Sequence, residues 1–163
     1  MTDKLLTPNA EKISEAHDFY HSFSSIILST VSENGQPHSS YAPHICHDHK
    51  LYVFVSGLAQ HSATLANGAA SVFLVEDESK AKTVFARKRL TLQIHSARIA
   101  PESPHYSKRL DQFEAEHGAT IKMLRSLPDF VLFELQPSSA LFVTGFGATY
   151  DVMPFLENII KND

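Results

Sequence analysis

The sequence predicts an α+β domain that is mainly β, an antiparallel barrel with helices on its periphery. Three observations carry this expectation. About seven short runs rich in β-branched and aromatic residues are bounded by Gly, Pro, Asn or acidic turn residues. Hairpin-type turns join them and they cluster toward both ends of the chain, whereas a parallel sheet would alternate strands with helices. The 163 residues, 43% hydrophobic and 20% charged, suffice for one core, so residues 1–163 are expected to form a single domain.

Thr7-Pro8 reads as an N-cap followed by proline at the first helical position. It opens a helix to about Tyr20, with Ile13, Ala16, Phe19 and Tyr20 as its apolar stripe. Residues 24–32 form a strand closed by Glu33-Asn34-Gly35-Gln36, where Asn-Gly suits the positive φ of a tight hairpin. The return strand covers residues 37–46, and the polar turn His47-Asp48-His49-Lys50 leads into Leu51-Tyr52-Val53-Phe54-Val55. That last run is apolar on both faces. It is therefore expected to be covered twice, by the barrel interior and by a second layer such as a partner subunit.

Residues 58–67 predict a short helix stopped at Asn67-Gly68, and residues 70–76 a strand ending in the acidic turn Glu76-Asp77-Glu78. A basic strand follows from Phe85-Ala86-Arg87-Lys88-Arg89 to about Ala100. It sets Leu90, Leu92 and Ile94 on one face and Thr91, Gln93 and His95 on the other. Ser103-Pro104 opens a polar helix that Gly118 stops after His117, with a further helical turn over residues 120–126. A strand begins at Pro128-Asp129-Phe130 and ends near Leu135. Gln136-Pro137-Ser138-Ser139 then predicts a turn into a last strand over residues 141–144, before Gly145-Phe146-Gly147. Residues 154–160 predict a short apolar helix.

The formal net charge of -4 argues against broad nucleic-acid binding. One cysteine, Cys46, excludes an intrachain disulfide, and no long apolar run marks a signal peptide or membrane span, so a cytoplasmic setting is expected. Gly145-Phe146-Gly147 lacks the third glycine of a dinucleotide fingerprint, and neither a P-loop nor a Gly-x-Ser-x-Gly elbow occurs. His44, Cys46, His47 and His49 crowd one hairpin, but no second ligand pair has zinc spacing, and an exposed polar turn is the expectation. The Arg87-Lys88-Arg89 cluster suits an anionic ligand such as a phosphate or a propionate, with Arg87 and Arg89 on one strand face.

Six segments occur in an order that resembles the HugZ/HutZ family of haem-utilisation proteins, within the FMN-binding split barrels related to pyridoxamine 5'-phosphate oxidase. They are Ser39-Ser40-Tyr41-Ala42-Pro43, Ser56-Gly57-Leu58-Ala59-Gln60-His61-Ser62, Val75-Glu76-Asp77-Glu78-Ser79, Phe85-Ala86-Arg87-Lys88-Arg89-Leu90-Thr91, Pro128-Asp129-Phe130-Val131-Leu132-Phe133 and Leu141-Phe142-Val143-Thr144-Gly145-Phe146-Gly147. The resemblance spans about residues 8–152, leaving 153–163 as a tail. It implies a homodimer of six- to seven-stranded Greek-key split barrels with ligand pockets at the subunit interface. In FMN-binding relatives the phosphate anchors would map onto Ser56, His61, Ser62, Arg87 and Arg89, with Lys88 between the arginines. In the haem-binding branch the same cations would lie near the propionates. Asp129 matches an acidic residue that implies a hydrogen bond to the proximal histidine and so a tuned iron.

One feature departs from that pattern. Haem-binding members take their axial histidine from a C-terminal loop, and here no histidine follows His117. Tyr150, Met153 or a histidine from a second subunit remain as donors. The implied function is haem binding with haem oxygenase-like degradation. The alternatives are an FMN-dependent oxidoreductase and a noncatalytic haem or flavin carrier.

Overall fold

The computed structural model describes residues 5–153. Helix α1 (Ala10–His21) precedes strands β1 (Ser25–Val31), β2 (Pro37–His47) and β3 (Lys50–Ser56). Helix α2 (Gln60–Leu65), β4 (Ala69–Val75) and β5 (Arg89–Ile99) come next. Helices α3 (Pro104–His117) and α4 (Ala119–Leu124), then β6 (Phe130–Val143) and β7 (Thr149–Asp151), complete the described chain. The sheet order is β3-β2-β1-β4-β5-β6-β7, and pairing of β3 with β6 closes six antiparallel strands into a barrel with β7 added at its margin. Closure removes the free sheet edges that would otherwise invite pairing with other chains.

Several predicted boundaries move. Asn9, not Thr7, caps α1: its side chain accepts from the Lys12 amide, and Pro8 lies outside the helix. Residues 85–88 are not strand. Thr83 caps a short 3-10 turn, Val84–Ala86, and β5 starts only at Arg89. The helix expected over residues 58–67 is confined to Gln60–Leu65, with Gly68 taking up φ +89° beyond it. Gln136-Pro137-Ser138-Ser139 makes no turn, because β6 runs straight through it. Its register with β5 shifts between Gln93 and Ile94, opposite Pro137, and a bulge is where a strand tolerates a residue without an N–H. The last strand is instead β7, and residues 154–160 lie outside the described residues.

Two apolar clusters hold the barrel. The interior gathers Leu28, Leu51, Val53, Leu65, Leu92, Phe133 and Phe142, all nearly or fully buried. The second joins Ile45, Tyr52, Phe54 and Leu132 on the outer wall to Leu110, Phe113 and Ile121 of α3 and α4. The double cover expected for β3 is present: Leu51, Val53 and Val55 face the interior, Tyr52 and Phe54 face the helices. That outer cover is the chain's own helix pair, not a partner subunit, so this strand gives no argument for a dimer. Each buried aromatic ring here contributes on the order of 2–3 kcal/mol, and Arg109 of α3 lays its guanidinium 4.8 Å from the centre of the Tyr52 ring.

Another part of the wall has no such cover among the described residues. Register places Tyr41, Ile27, Phe73, Thr91 and Leu141 side by side across β2, β1, β4, β5 and β6. Their neighbours along each strand point into the barrel, so this row faces outward. Tyr41 is 66% exposed and Ile27 38%.

Candidate functional site

The sequence-derived site residues fall into two groups. The first is a corner where β3 ends and β6 begins. The Gly57 amide donates to the Asp129 carbonyl at 2.6 Å, and a Cβ at position 57 would lie 2.8 Å from that oxygen, so only glycine fits without displacement. Ser56 Oγ donates to Asp129 Oδ2 at 2.7 Å, and Ser62 Oγ in α2 donates to the Ser56 carbonyl at 2.6 Å. Helix α2 is pinned in turn by Thr64 Oγ1, which donates to Thr30 Oγ1 at 2.8 Å inside the barrel wall. His61, also on α2, has a buried Nε2 without a hydrogen-bond partner among the described residues. Burial first, and His38 second, hold its pKa below the ordinary imidazole value.

The second group surrounds the start of β5. Arg87 Nε donates to the Glu76 carbonyl at 2.7 Å and Nη1 to Glu78 Oε1 at 3.0 Å. The Lys88 ammonium lies 2.7 Å from Glu15 of α1. Arg89 Nη1 donates to the Arg87 carbonyl at 3.3 Å, and among the described residues its guanidinium has no carboxylate partner. Arg87 and Arg89 therefore do not form the fork expected of two residues on one strand face. Arg87 sits in the bend after the 3-10 turn and folds back onto the acidic turn. Val84 and Phe85, 60% and 73% exposed, leave an apolar surface beside these cations.

The fold of the described residues does not bring the groups together. Asp129 adjoins Phe130, the first residue of β6, two residues before the Leu132–Ile99 pair, while Arg89 pairs with Val143, the last. The eleven residues of β5 lie between them, roughly 35 Å of strand path at about 3.3 Å per residue. Tyr150 and Met153, the nearest substitutes for an axial donor, both pack against the barrel core.

The histidine-rich hairpin differs from the exposed turn expected of it. His44 is only 1% exposed, and burial, then His117 and His21, push its pKa down to about 4. Burial likewise pushes the Cys46 thiol up to about 11, making it an unreactive wall residue. Two clefts escaped the sequence reading because their lining residues are far apart in the chain. One of about 410 Å³ holds a charged network in which Lys50 pairs with Glu134 at 2.7 Å and Arg109 with Asp48 at 3.0 Å. The other, about 300 Å³, is lined by His17, Tyr20, His21, Cys46, His47, Asp48 and His49.

A closed antiparallel barrel with a marginal strand, flanked by short helices, is the architecture of the split barrels, and the pyridoxamine 5'-phosphate oxidase family profile matches residues 13–144. Heme oxygenase HutZ of Vibrio cholerae is 37% identical over 139 residues, 85% of this chain and 79% of that protein. The chain thus belongs to the HutZ-type haem-utilisation family within the split-barrel superfamily. Solved structures agree. The crystal structure of V. cholerae HutZ, termed a heme storage protein, matches with a TM-score of 0.75 at 36% identity, over 82% of this chain and 95% of that one. Campylobacter jejuni ChuZ matches with a TM-score of 0.79 at 30% identity over 91% of this chain, which spans 61% of ChuZ.

Proposed function

We propose that this chain is a single-domain, cytoplasmic haem-binding protein that supports oxidative haem degradation, in a pocket completed by a second copy of itself. The observation that carries this reading is its 37% identity to a heme oxygenase across 85% of its length. The residues present fit the group. Arg89 has no carboxylate partner among the described residues, and the exposed Val84 and Phe85 beside it offer apolar surface, the combination that a flat apolar ring with anionic edges requires. No helix of the described residues is long and apolar enough to cross a membrane.

When bound, haem supplies the iron chemistry that activates dioxygen. The chain's own part is positional. Arg89, with Arg87 and Lys88 after they leave Glu78 and Glu15, would hold the propionates. Asp129, held still by the Ser56 hydroxyl and the Gly57 amide, is an acceptor that would orient an imidazole contributed by the second copy to hold the group. Because these groups are separated within one subunit, the pocket draws on two. The outward row Tyr41, Ile27, Phe73 and Leu141 supports the homodimer, since it is an apolar stripe on four strands that the described residues leave partly exposed.

A second reading, an FMN-dependent oxidoreductase, has the family match over residues 13–144 in its favour. Against it, the Ser56 and Ser62 protons that would meet the phosphate are already donated to Asp129 and to the Ser56 carbonyl. Haem titration decides. A Soret band saturating at a fixed haem-to-subunit ratio, followed by conversion to a bilin on adding reductant, is expected. A yellow protein that retains FMN and shows no Soret shift would establish the second reading instead. Sedimentation should show a dimer that Ile27→Glu dissociates.

A further inference from the structure

The cleft of about 410 Å³ where the β2–β3 turn, the end of β5 and the start of α3 meet belongs to neither the corner nor the bend. Its charged lining sets Lys50, Arg98 and Arg109 against Asp48 and Glu134. Glu134 is fully committed within the protein: the Lys50 ammonium donates to Oε1 at 2.7 Å and the Tyr52 hydroxyl to Oε2 at 3.0 Å. Lys50 and Glu134 cancel, and two guanidiniums remain against one carboxylate.

Arg109 is only 6% exposed, beside the Leu110 and Phe113 side chains that pack α3 onto the wall. A buried charge is costly unless it is well paired. Its pairing is thin: Nη1 donates to Gln112 at 2.8 Å, Nη2 to Asp48 at 3.0 Å, and the buried Nε meets no acceptor among the described residues. The balancing carboxylate is itself 67% exposed, at the tip of a hairpin where Asp48 takes left-handed backbone, φ 50°. A carboxylate so exposed is held loosely and can give way to a ligand's oxygen. The second guanidinium, that of Arg98, is exposed and makes no hydrogen bond or ion pair among the described residues. Its charge reaches the Tyr106 hydroxyl of α3, where it opposes the rise in pKa that burial causes, so Arg98 turns toward the helix side of β5. His105, exposed on the first turn of α3, adds an imidazole to the same lining.

We propose that this cleft binds a phosphate group, free or carried by a small monoester, held by Arg98 and Arg109 as Asp48 gives up its place on Arg109. Guanidiniums arriving from a strand end and from a helix offer paired donors to different oxygens of a tetrahedral dianion. A volume of about 410 Å³ is that of a small-molecule site and leaves room for the body of an ester. The site uses none of the residues of the Ser56–Asp129 corner or the Arg87–Arg89 bend, so it stands or falls apart from the haem reading.

Full-length protein titrated by calorimetry with inorganic phosphate, and separately with glycerol 3-phosphate, should bind saturably at an ionic strength held constant with chloride. The tighter of the two identifies the source of the phosphate. Arg98→Ala should weaken binding at least about tenfold, the loss of one charge-assisted contact. Asp48→Asn should tighten it about two- to fivefold, because the competing charge is gone and asparagine keeps the left-handed turn. Lys122→Ala, which removes an exposed cation of α4 outside the cleft, should leave it unchanged. Arg98 and Asp48 are both exposed, and urea midpoints check that these variants fold. No saturable binding of either probe would overturn the assignment. So would binding that survives Arg98→Ala but is lost in Arg89→Ala, which would put the phosphate at the bend, and so would weaker binding in Asp48→Asn.

Discussion

The Ser56–Asp129 corner and the Arg87–Arg89 bend lie at opposite ends of the β5–β6 ribbon, and they are built in opposite ways. In the corner, every hydroxyl proton and the close backbone amide are spent within the protein, and a glycine is required for the approach. In the bend, Arg87 and Lys88 make partly exposed ion pairs, Arg87 donating also to the Glu76 carbonyl, and Arg89 has a long bond to a backbone carbonyl. Such pairs are worth roughly 0–1 kcal/mol and exchange easily with an incoming anion. The corner fixes its own geometry; the bend carries a guanidinium, that of Arg89, with no carboxylate partner among the described residues.

The sharpest way to break this contrast is to intrude on the corner. Gly57→Ala forces a Cβ to within 2.8 Å of the Asp129 carbonyl, which is backbone and cannot swing aside. A loss of about 1–3 kcal/mol is expected from the overpacking, read as a lower urea midpoint. The equivalent intrusion at the bend is removal of Arg89. Arg89→Ala should leave that midpoint nearly unchanged while weakening haem binding about tenfold, on the order of 1.4 kcal/mol for one charge-assisted contact. A change in stability without a change in affinity would reverse the roles assigned to the two ends.

Ser56→Ala is subtler, because it removes one donor from a half-buried carboxylate. It should cost about 1 kcal/mol, read as a lower urea midpoint, and Ser56→Thr should restore it. The smallest effect is expected from His61. Its folded pKa lies below the ordinary value, so the unfolded chain takes up the proton first as pH falls. Stability should therefore be fully present above about pH 6.5 and decline below it, levelling off under the folded pKa. His61→Gln should flatten that segment of the stability–pH curve, and a steeper curve in the variant would show that another group, such as His44, governs it.

Much of this was legible in the chain itself. Asn34-Gly35 set the first hairpin, alternation from Leu90 to Ile94 set the inward face of β5, and Ser103-Pro104 with Gly118 bracketed α3. The double burial of Leu51-Tyr52-Val53-Phe54-Val55 was also readable, though not the identity of its outer cover. These signals are local: periodicity and caps depend on neighbours within a few residues. The turn expected at Gln136-Pro137-Ser138-Ser139 failed for the complementary reason. A composition typical of turns was overridden by the pairing of β6 with β5, which needs a bulge there.

What residue order alone determined was the barrel and its helices, and it named the candidate site residues. Only the tertiary structure decided how those residues divide. Ser56, Ser62 and Asp129, drawn from positions 56 to 129, meet within single hydrogen bonds. Arg87 and Arg89, two residues apart, turn to different partners because β5 begins between them. The same folding set His17 and His21 against a hairpin well downstream of them. Separation along the chain carries no distance information beyond a few residues, and a closed barrel is what converts it into contact.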